Sequence, residues 1–431
     1  MEPRNTNSRI EGFYKLPRKE RLVTLARMGG LEENEVAELL NPTPLPFEVA
    51  EHMIENAIGV LGLPLGVGLN FLINGRERLV PMAIEEPSVV AAASFAARLV
   101  REAGGFFAEA DPSLMIGQVQ LLGVQDLTAA CERLQAATGR ILALANSVHP
   151  NMLKRGGGAR KLEFRPLPDT PCGPMLVVHI LVDVGDAMGA NAINSIAETV
   201  APLLEEISGG EARLRILSNL ADQRLARATA RIPFHILETE KFSGEQVARR
   251  IEEAWAFAYA DPYRAATHNK GIMNGIDAVA LATGQDWRGI EAGAHAYAAR
   301  DGQYRPLSEW RVHNGALVGT IELPLAVGTV GGNLECNPRA NFGLRLLRAR
   351  SARDLAAVMA AVGLAQNLAA VRALATDGIQ RGHMALHARG LAVAAGASDD
   401  IVDQVVEELI ASGEIKLSKA REIVAARKRA A

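Results

Sequence analysis

The chain has 431 residues, a formal net charge of −3, 48% hydrophobic residues and only 4% aromatics, which gives room for two or three domains and a large core. The near-neutral balance excludes the basic footprint of a nucleic-acid-binding protein. Three scattered cysteines, Cys131, Cys172 and Cys336, form no CxxC or zinc spacing and fit a reducing compartment.

The N-terminal stretch lacks the apolar segment of a signal peptide. Gly, Asp or Arg interrupts each apolar run before about 18 residues, so a soluble, cytoplasmic protein without a membrane span is expected. Residues 17–41 read as two short helices closed by PTPLP. FLINGRERLVPMA reads as a hairpin about Asn74–Gly75. IEEPSVVAAASFAARLVREAG reads as a helix with Pro87 in its first turn, which leaves Glu85 and Glu86 just before the helix N-terminus.

From about residue 113 the texture changes. MIGQVQLLGV reads as a strand, DLTAACERLQAATGRILALAN as a helix, KLEFRPL and MLVVHILVDV as strands, MGANAINSIAETVAPLLEEIS as a helix and EARLRILS as a strand. The order β-α-β-β-α-β is the split βαβ, ferredoxin-like pattern. The expectation is an α+β chain in which a compact domain, 113–219, is inserted in a larger, mainly helical domain built from 1–112 and 220–378. Residues 261–287 read as a turn-rich, glycine-punctuated segment that gathers Arg264, His268, Lys270, Asn274, Asp277 and Asp286. RVHNGALVGTIELP reads as extended, with a turn at Asn314–Gly315, and SARDLAAVMAAVGLAQNLAAVRALA as a long helix ending near Gly378. Helical pieces fill 379–431.

These residues leave several chemistries open. A lysine among small residues with carboxylates nearby is either a preorganised cation that stabilises an oxyanion or an amine that forms a Schiff base. Glu85 and Glu86 are each a partly desolvated proton donor or a plain helix N-terminal charge. His383 and His387 share a helical face, but HMALH lacks the acid of HExxH and has no evident third ligand, so no metal is expected. No GxGxxG follows a strand. Instead Asp186, Met188, Gly189 and Asn191 join a strand end to a helix start, either as a dinucleotide cradle or as a simple capped turn.

The words DPYRAATHNKGIMNGID and ATGQDW, with ENAIG (55–59), NFLINGRERLVPMAIEEPSVVAAAS (70–94), DVGDAMGANAIN (183–194), LRILSNLADQRLARA (214–228) and VGLAQNLAAVRALATDGIQRGHMALHAR (362–389), closely resemble the soluble, bacterial-type (class II) 3-hydroxy-3-methylglutaryl-coenzyme A reductases. They occur in that family's order along most of the chain. The resemblance implies a reversible four-electron reduction of the thioester to mevalonate and coenzyme A, with two hydrides from NADH or NADPH. It implies catalytic roles for four residues. Lys270 stabilises the substrate oxygen and Asp286 orients that lysine; Glu86 supplies the proton for reduction of mevaldehyde, and His383 protonates the departing coenzyme A thiolate. His387 is then structural. Asn274 joins the polar network, and Ser88, Arg264, Thr267 and Asn367 match substrate contacts. Asp186, Met188, Gly189 and Asn191 match the cofactor motif.

The same resemblance implies a homodimer or a multiple of dimers, with substrate on the large domain, cofactor on the small one across the interface, and 379–431 as a mobile flap. Two positions depart from the family's pattern. His149 stands where NAD-preferring members carry an aspartate for the adenosine ribose, and Lys154 and Arg155 are near it, which leaves the coenzyme preference open. Tyr14, beside Lys15, stands where one type has an arginine that contacts coenzyme A. Two other readings are a Schiff-base lyase acting on coenzyme A esters and a non-catalytic coenzyme A or nucleotide binder on the same scaffold.

Overall fold

The computed structural model describes residues 7–29, 31–41, 45–331, 334, 337–376, 379–398 and 400–430; of 33–35, 38, 379–386, 428 and 430 it describes the backbone alone. The hairpin is present as expected. Strand β1 (Leu65–Ile73) turns at Asn74–Gly75 into β2 (Arg76–Ala83). Both turn residues take positive φ, 50° and 71°, as a two-residue turn matched to the twist of antiparallel strands requires.

Beyond the short strand β3 (Phe107–Ala110), the chain builds β4 (Leu114–Leu122), β5 (Gly158–Leu167), β6 (Met175–Asp183) and β7 (Glu211–Ser218). These form an antiparallel sheet of order β5-β6-β4-β7, the split βαβ arrangement. Val119, Ile180 and Val182 from the sheet share a core with Leu134, Ile141, Ile193 and Leu204 from the helices against it. The first of these helices is not continuous. It breaks at Ala137 into Leu127–Ala136 and Thr138–Val148, where Thr138 and Gly139 are weak helix formers.

A second antiparallel sheet joins β3 to β8 (Leu225–Pro233), β9 (Ser308–His313) and β10 (Ala316–Pro324) in the order β3-β8-β10-β9. Strands β3 and β8 are additions to the expected, mainly helical unit. In LARATARIP the buried residues alternate as Ala226, Ala228, Ala230 and Ile232, and alanine carries almost no strand preference to signal that period.

Helix Ala352–Ala375 lies against this sheet and against helix Pro262–Ala282. It is apolar almost all round, as a fully buried helix must be. Ser351 caps it by accepting from the Asp354 amide. Contrary to expectation, the helix is long and apolar enough to cross a membrane, with mean hydropathy 1.5, but 89% of that stretch is buried inside the protein. Gly363 and Asn367 sit within the run and do not end it. Gly378, its expected terminus, lies outside the described residues.

The largest departure from expectation is the polar segment 261–287. It is not turn-rich: Pro262–Ala282 is one helix of 21 residues. Asp261 caps it, accepting from the Tyr263 and Arg264 amides, and Pro262 suits its first turn. Gly275 inside it, and Gly363 on the helix Ala352–Ala375 against it, serve packing. A Cβ on Gly275 would stand 2.9 Å from Gln366 Cβ and 3.2 Å from the Val362 carbonyl, and one on Gly363 would stand 2.8 Å from Ile276 Cδ1. Only glycine lets the two helices approach so closely.

At the N-terminal end, helices Arg18–Gly29 and Glu33–Leu40 set Leu25 and Leu39 against Leu79, Phe342 and Leu346. At the C-terminal end, helices Ile379–Ala394, Val402–Ala411 and Leu417–Ala430 have a core of their own, made of Ala388, Ala392, Val402, Val405, Leu409, Ala420, Ile423 and Val424. Cys131 and Cys172 are free thiols, and Cys336 lies outside the described residues.

Candidate active site

The helical register gathers residues that seemed strewn along a loop. Arg264, Thr267, Lys270, Asn274 and Asp277 follow one another at three- and four-residue steps, hence along one stripe of helix Pro262–Ala282. The opposite face is packed with Ala265, His268, Asn269, Ile272, Met273 and Ile276. Lys270 Nζ donates to Glu86 Oε2 at 2.6 Å, with side chains 59% and 36% exposed.

Glu86 stands in the turn between β2 and helix Val89–Glu102. Pro87 is in that turn and not in the helix, because Ser88 adopts a left-handed φ of 77° and blocks helical continuation. The Ser88 hydroxyl is buried without a hydrogen-bond partner. A polar ligand beside Glu86 would relieve that orphan.

Asp286 does not meet Lys270 across a turn. It caps helix Trp287–Ala298, its Oδ1 accepting from the Gly289 amide at 3.1 Å. The amide of Gln285 bonds the Ala280 carbonyl, so Asp286 is fixed beside the last turn of the lysine helix, ten residues or about 15 Å of helix axis from Lys270.

Asn367 is only 1% exposed. Its Oδ1 accepts from Ser308 Oγ and Trp310 Nε1, and its Nδ2 donates to the His268 carbonyl, so within this chain it ties core elements together. His268 is equally internal. It shares a 2.7 Å hydrogen bond with Ser308, and burial pushes its pKa down to about 3, which keeps it neutral. Thr267 is exposed, and its hydroxyl reaches the Tyr263 carbonyl. Partial burial lowers the Arg264 pKa from its usual value.

The Asp186–Asn191 segment fits a dinucleotide. Gly189 precedes the 19-residue helix Ala190–Ser208 with φ 96°, and no side chain caps that helix, which leaves its first amides without a side-chain partner where an anion could bind. A Cβ on Gly189 would strike Val184 Cγ1 at 2.5 Å. Asn191 is exposed at the second helical position and Met188 half-buried before it, whereas the Asp186 carboxylate accepts from the Ala352 amide at 2.8 Å. His149 sits between helices Thr138–Val148 and Pro150–Lys154 with Nε2 buried and unpaired, and Lys154 and Arg155 are exposed nearby. Tyr14 is 77% exposed and lies, with Arg18 and Arg98, in the lining of a cavity of about 1120 Å³.

One cluster went unforeseen. Asp277, Glu291, His295 and Tyr304 link the lysine helix to the helix that Asp286 caps. Glu291 Oε2 lies 2.5 Å from His295 Nε2, and His295 Nδ1 shares a 2.7 Å bond with Tyr304. Burial, then the bond to Glu291, pushes the Asp277 carboxyl up to about 9, while the His295 bond holds Glu291 below its usual value and raises His295. The sequence holds a faint signal for this in the four-residue step from Glu291 to His295. His383 lies on helix Ile379–Ala394, but its side chain is outside the described residues; His387 is exposed. Among the described residues, no group of three or more His, Cys, Asp or Glu side chains is placed to hold a metal ion.

A mixed helix-and-sheet protein with a lysine–glutamate pair on one unit and an uncapped, glycine-preceded helix on another has the parts of a coenzyme-dependent enzyme. Comparison with known proteins gives the family. A family model described as hydroxymethylglutaryl-coenzyme A reductase matches residues 17–388. The chain is 53% identical over 422 residues to the 3-hydroxy-3-methylglutaryl-coenzyme A reductase of Archaeoglobus fulgidus, covering 98% of this chain and 95% of that protein. It is 39% identical to the probable enzyme of Borreliella burgdorferi, covering 78% and 76%. Its fold is similar to that of the Streptococcus pneumoniae reductase, with TM-score 0.82, 44% identity and coverage of 96% and 98%. A class II reductase structure from the same organism, described as bound to NADPH in open conformations, matches with TM-score 0.82, 45% identity and coverage of 85% and 99%.

The chain belongs to the hydroxymethylglutaryl-coenzyme A reductase family. It is an oxidoreductase, and its reaction is the family's reduction of 3-hydroxy-3-methylglutaryl-coenzyme A to mevalonate.

Proposed function

We propose that the Glu86–Lys270 pair is the reacting centre and that a second copy of the chain completes it. The single observation that carries this is the 2.6 Å contact that joins an acid from one element to the lysine of another on an open face. A side-chain amine fixed beside a carboxylate on an open face is positioned as a preorganised donor to a thioester oxygen. Ser88, with its orphan hydroxyl, and Arg264, Thr267 and Asn274 on the same stripe would hold the substrate carboxylate and thioester. Asn367 would act by holding His268 and the strand behind them.

The nicotinamide, NADH or NADPH, would supply the two hydrides. Asp186, Met188, Gly189, Asn191 and His149 would hold it, with its pyrophosphate at the first amides of helix Ala190–Ser208. His149 with Lys154 and Arg155 tolerates a 2′-phosphate that an aspartate would repel, and the NADPH in the S. pneumoniae structure is consistent with that. Lys270 polarises the thioester oxygen, His383 protonates the coenzyme A thiolate, and Glu86 gives a proton to the aldehyde oxygen in the second reduction. Residues 379–431, with a separate core, would form the flap that brings His383 in and excludes water.

Asp286 would come from the partner subunit. Within one chain it lies beside the cofactor segment and away from Lys270. The stretch after helix Phe47–Met53 supports a dimer: it is extended and irregular, with Ile58 100% and Leu61 95% exposed, a costly display of apolar surface for a monomer. On this reading residues 113–219 carry the cofactor, 1–112 and 220–378 carry the substrate and the dimer contacts, and the enzyme works in the cytoplasm.

The test is oxidation of NADH and of NADPH, in parallel, by purified protein with 3-hydroxy-3-methylglutaryl-coenzyme A. Turnover is expected with at least one, and the ratio of the two kcat/KM values gives the preference. Folded protein that turns over neither would leave only a binding role.

A further inference from the structure

The cofactor segment and Asp286 are fastened to the same short piece of chain, residues 327–329, just past β10. Gln285, immediately before Asp286, forms a reciprocal pair with Gly328: its Oε1 accepts from the Gly328 amide at 2.8 Å and its Nε2 donates to the Gly328 carbonyl at 2.9 Å. The same Nε2 donates to the Thr283 carbonyl at 2.8 Å. On its other side, Gly328 is pressed against the cofactor segment. A Cβ there would stand 2.6 Å from the Met188 amide nitrogen and 3.0 Å from the Ala187 carbonyl carbon. The Thr329 amide donates to the Asp186 carbonyl at 2.8 Å, and Ala187 and Val330 form an isolated parallel bridge.

Arg224 closes the same joint from beneath. The residue is 4% exposed. It donates to the Val327 carbonyl at 2.5 Å and, at 3.4 to 3.5 Å, to the carbonyls of Ala187 and Met188. A guanidinium is the side chain suited to this, because its planar fork binds several carbonyls at once and stays charged when buried. Burial draws its pKa down to about 10, with the charges of Asp183 and Asp186 opposing the shift, so it remains a cation at neutral pH.

We propose that Gln285 and Arg224 are positioning residues that lock the cofactor segment and Asp286 into one unit, so that nicotinamide binding and carboxylate placement are set together. This rests on the reading above that residues 186–191 receive the nicotinamide and that Asp286 is catalytic. Gln285 itself touches neither the segment nor Lys270, so its effect must travel through Gly328. The Lys270 stripe shares none of these hydrogen bonds, and substrate binding is therefore insulated from the clamp.

The experiment measures dissociation constants for NADPH, by fluorescence, and for 3-hydroxy-3-methylglutaryl-coenzyme A, by calorimetry, in the full-length protein and four variants. Gln285→Met keeps the side chain's length and removes its amide. It is expected to weaken NADPH binding about tenfold, as loss of hydrogen bonds to buried backbone groups does, with substrate affinity unchanged within about twofold. Gly328→Ala pushes the segment from the other side and is expected to do the same, and Arg224→Lys, which keeps the charge and loses the fork, to do so more weakly. NADPH affinity unchanged in both Gln285→Met and Gly328→Ala overturns the proposal, as does an equal loss of substrate affinity, which would mark general damage. The fourth variant, Gly189→Ala, tests the underlying reading. If it leaves NADPH binding intact, the segment is not the cofactor site, a failure distinct from that of the clamp.

Discussion

Lys270 and Asp277 stand two turns apart on one stripe of one helix, yet they meet opposite surroundings. Around Lys270 the stripe is open, and the acid that reaches it, Glu86, comes from a turn at the end of a hairpin. Over Asp277 the stripe is closed by helix Trp287–Ala298, and its carboxyl is held protonated against Glu291. The difference teaches that a row of polar residues at helical spacing is not one functional surface. What packs above each position decides whether it meets a ligand or joins a structural network.

The sharpest way to break this contrast is at its open end. Lys270→Ala is expected to lower kcat by about 10²–10³-fold or more, the scale for losing an oxyanion donor. Its melting temperature should stay close to wild type, because an exposed lysine contributes little stability. A variant with near-normal turnover would remove the role assigned to Lys270.

Next in size is the packing beneath both residues. Gly275→Val places methyl groups where even a Cβ stands 2.9 Å from Gln366, and overpacking of this kind costs about 1–3 kcal/mol. Thermal unfolding should show that loss, whereas an unchanged melting temperature would mean that the two helices are not in close contact.

At the closed end the prediction is one of pH. Asp277 keeps its proton in the folded protein up to about 9, against 3.8 for a free aspartate side chain, so folding takes up a proton between those limits. The stability this group contributes is full below the lower limit and is lost as pH rises through the upper one. Asp277→Asn cannot ionise and still donates to Glu291. Its melting temperature should gain on wild type as pH rises from about 5 to 9 and hold a constant lead above that; a pH-independent difference would mean that Asp277 is an ordinary carboxylate.

The smallest effect belongs to His295, whose pKa is raised chiefly by its bond to Glu291. Its contribution is present below its unfolded value of 6.5 and lost as pH climbs past it. His295→Gln should therefore destabilise more at pH 6 than at pH 9, by less than about 1 kcal/mol, because both side chains are partly exposed. Equal destabilisation at the two pH values would show that the charge of His295 does not contribute.

Much of this was legible in the residues, and the failures have physical causes. Both Asn-Gly hairpins and the β-α-β-β-α-β order declared themselves through turn chemistry and period. Strand β8 did not, because alanines mark its buried face. Helix Pro262–Ala282 is hidden in the sequence because Gly271 and Gly275 look like turn punctuation, whereas Gly275 is there for the approach of a neighbouring helix. The same punctuation makes Asp286 look like Lys270's neighbour. Glu86 and Lys270 are 184 residues apart in sequence, and their pairing is a product of the tertiary fold. The Gln285–Gly328 joint is of the same kind, since a side-chain amide that clasps backbone leaves no pattern in the chain.

The measurement that tests the central claim most directly is complementation between two inactive variants. Lys270→Ala and Asp286→Ala proteins are co-expressed with different tags, mixed dimers are purified, and reduction of 3-hydroxy-3-methylglutaryl-coenzyme A is followed. If each active site takes its lysine from one subunit and its aspartate from the other, the mixed dimer contains one intact site of two and regains about half of wild-type turnover, consistent with a shared interfacial site. Mixed dimers as inactive as either parent would place both residues of each site in a single chain and contradict the account.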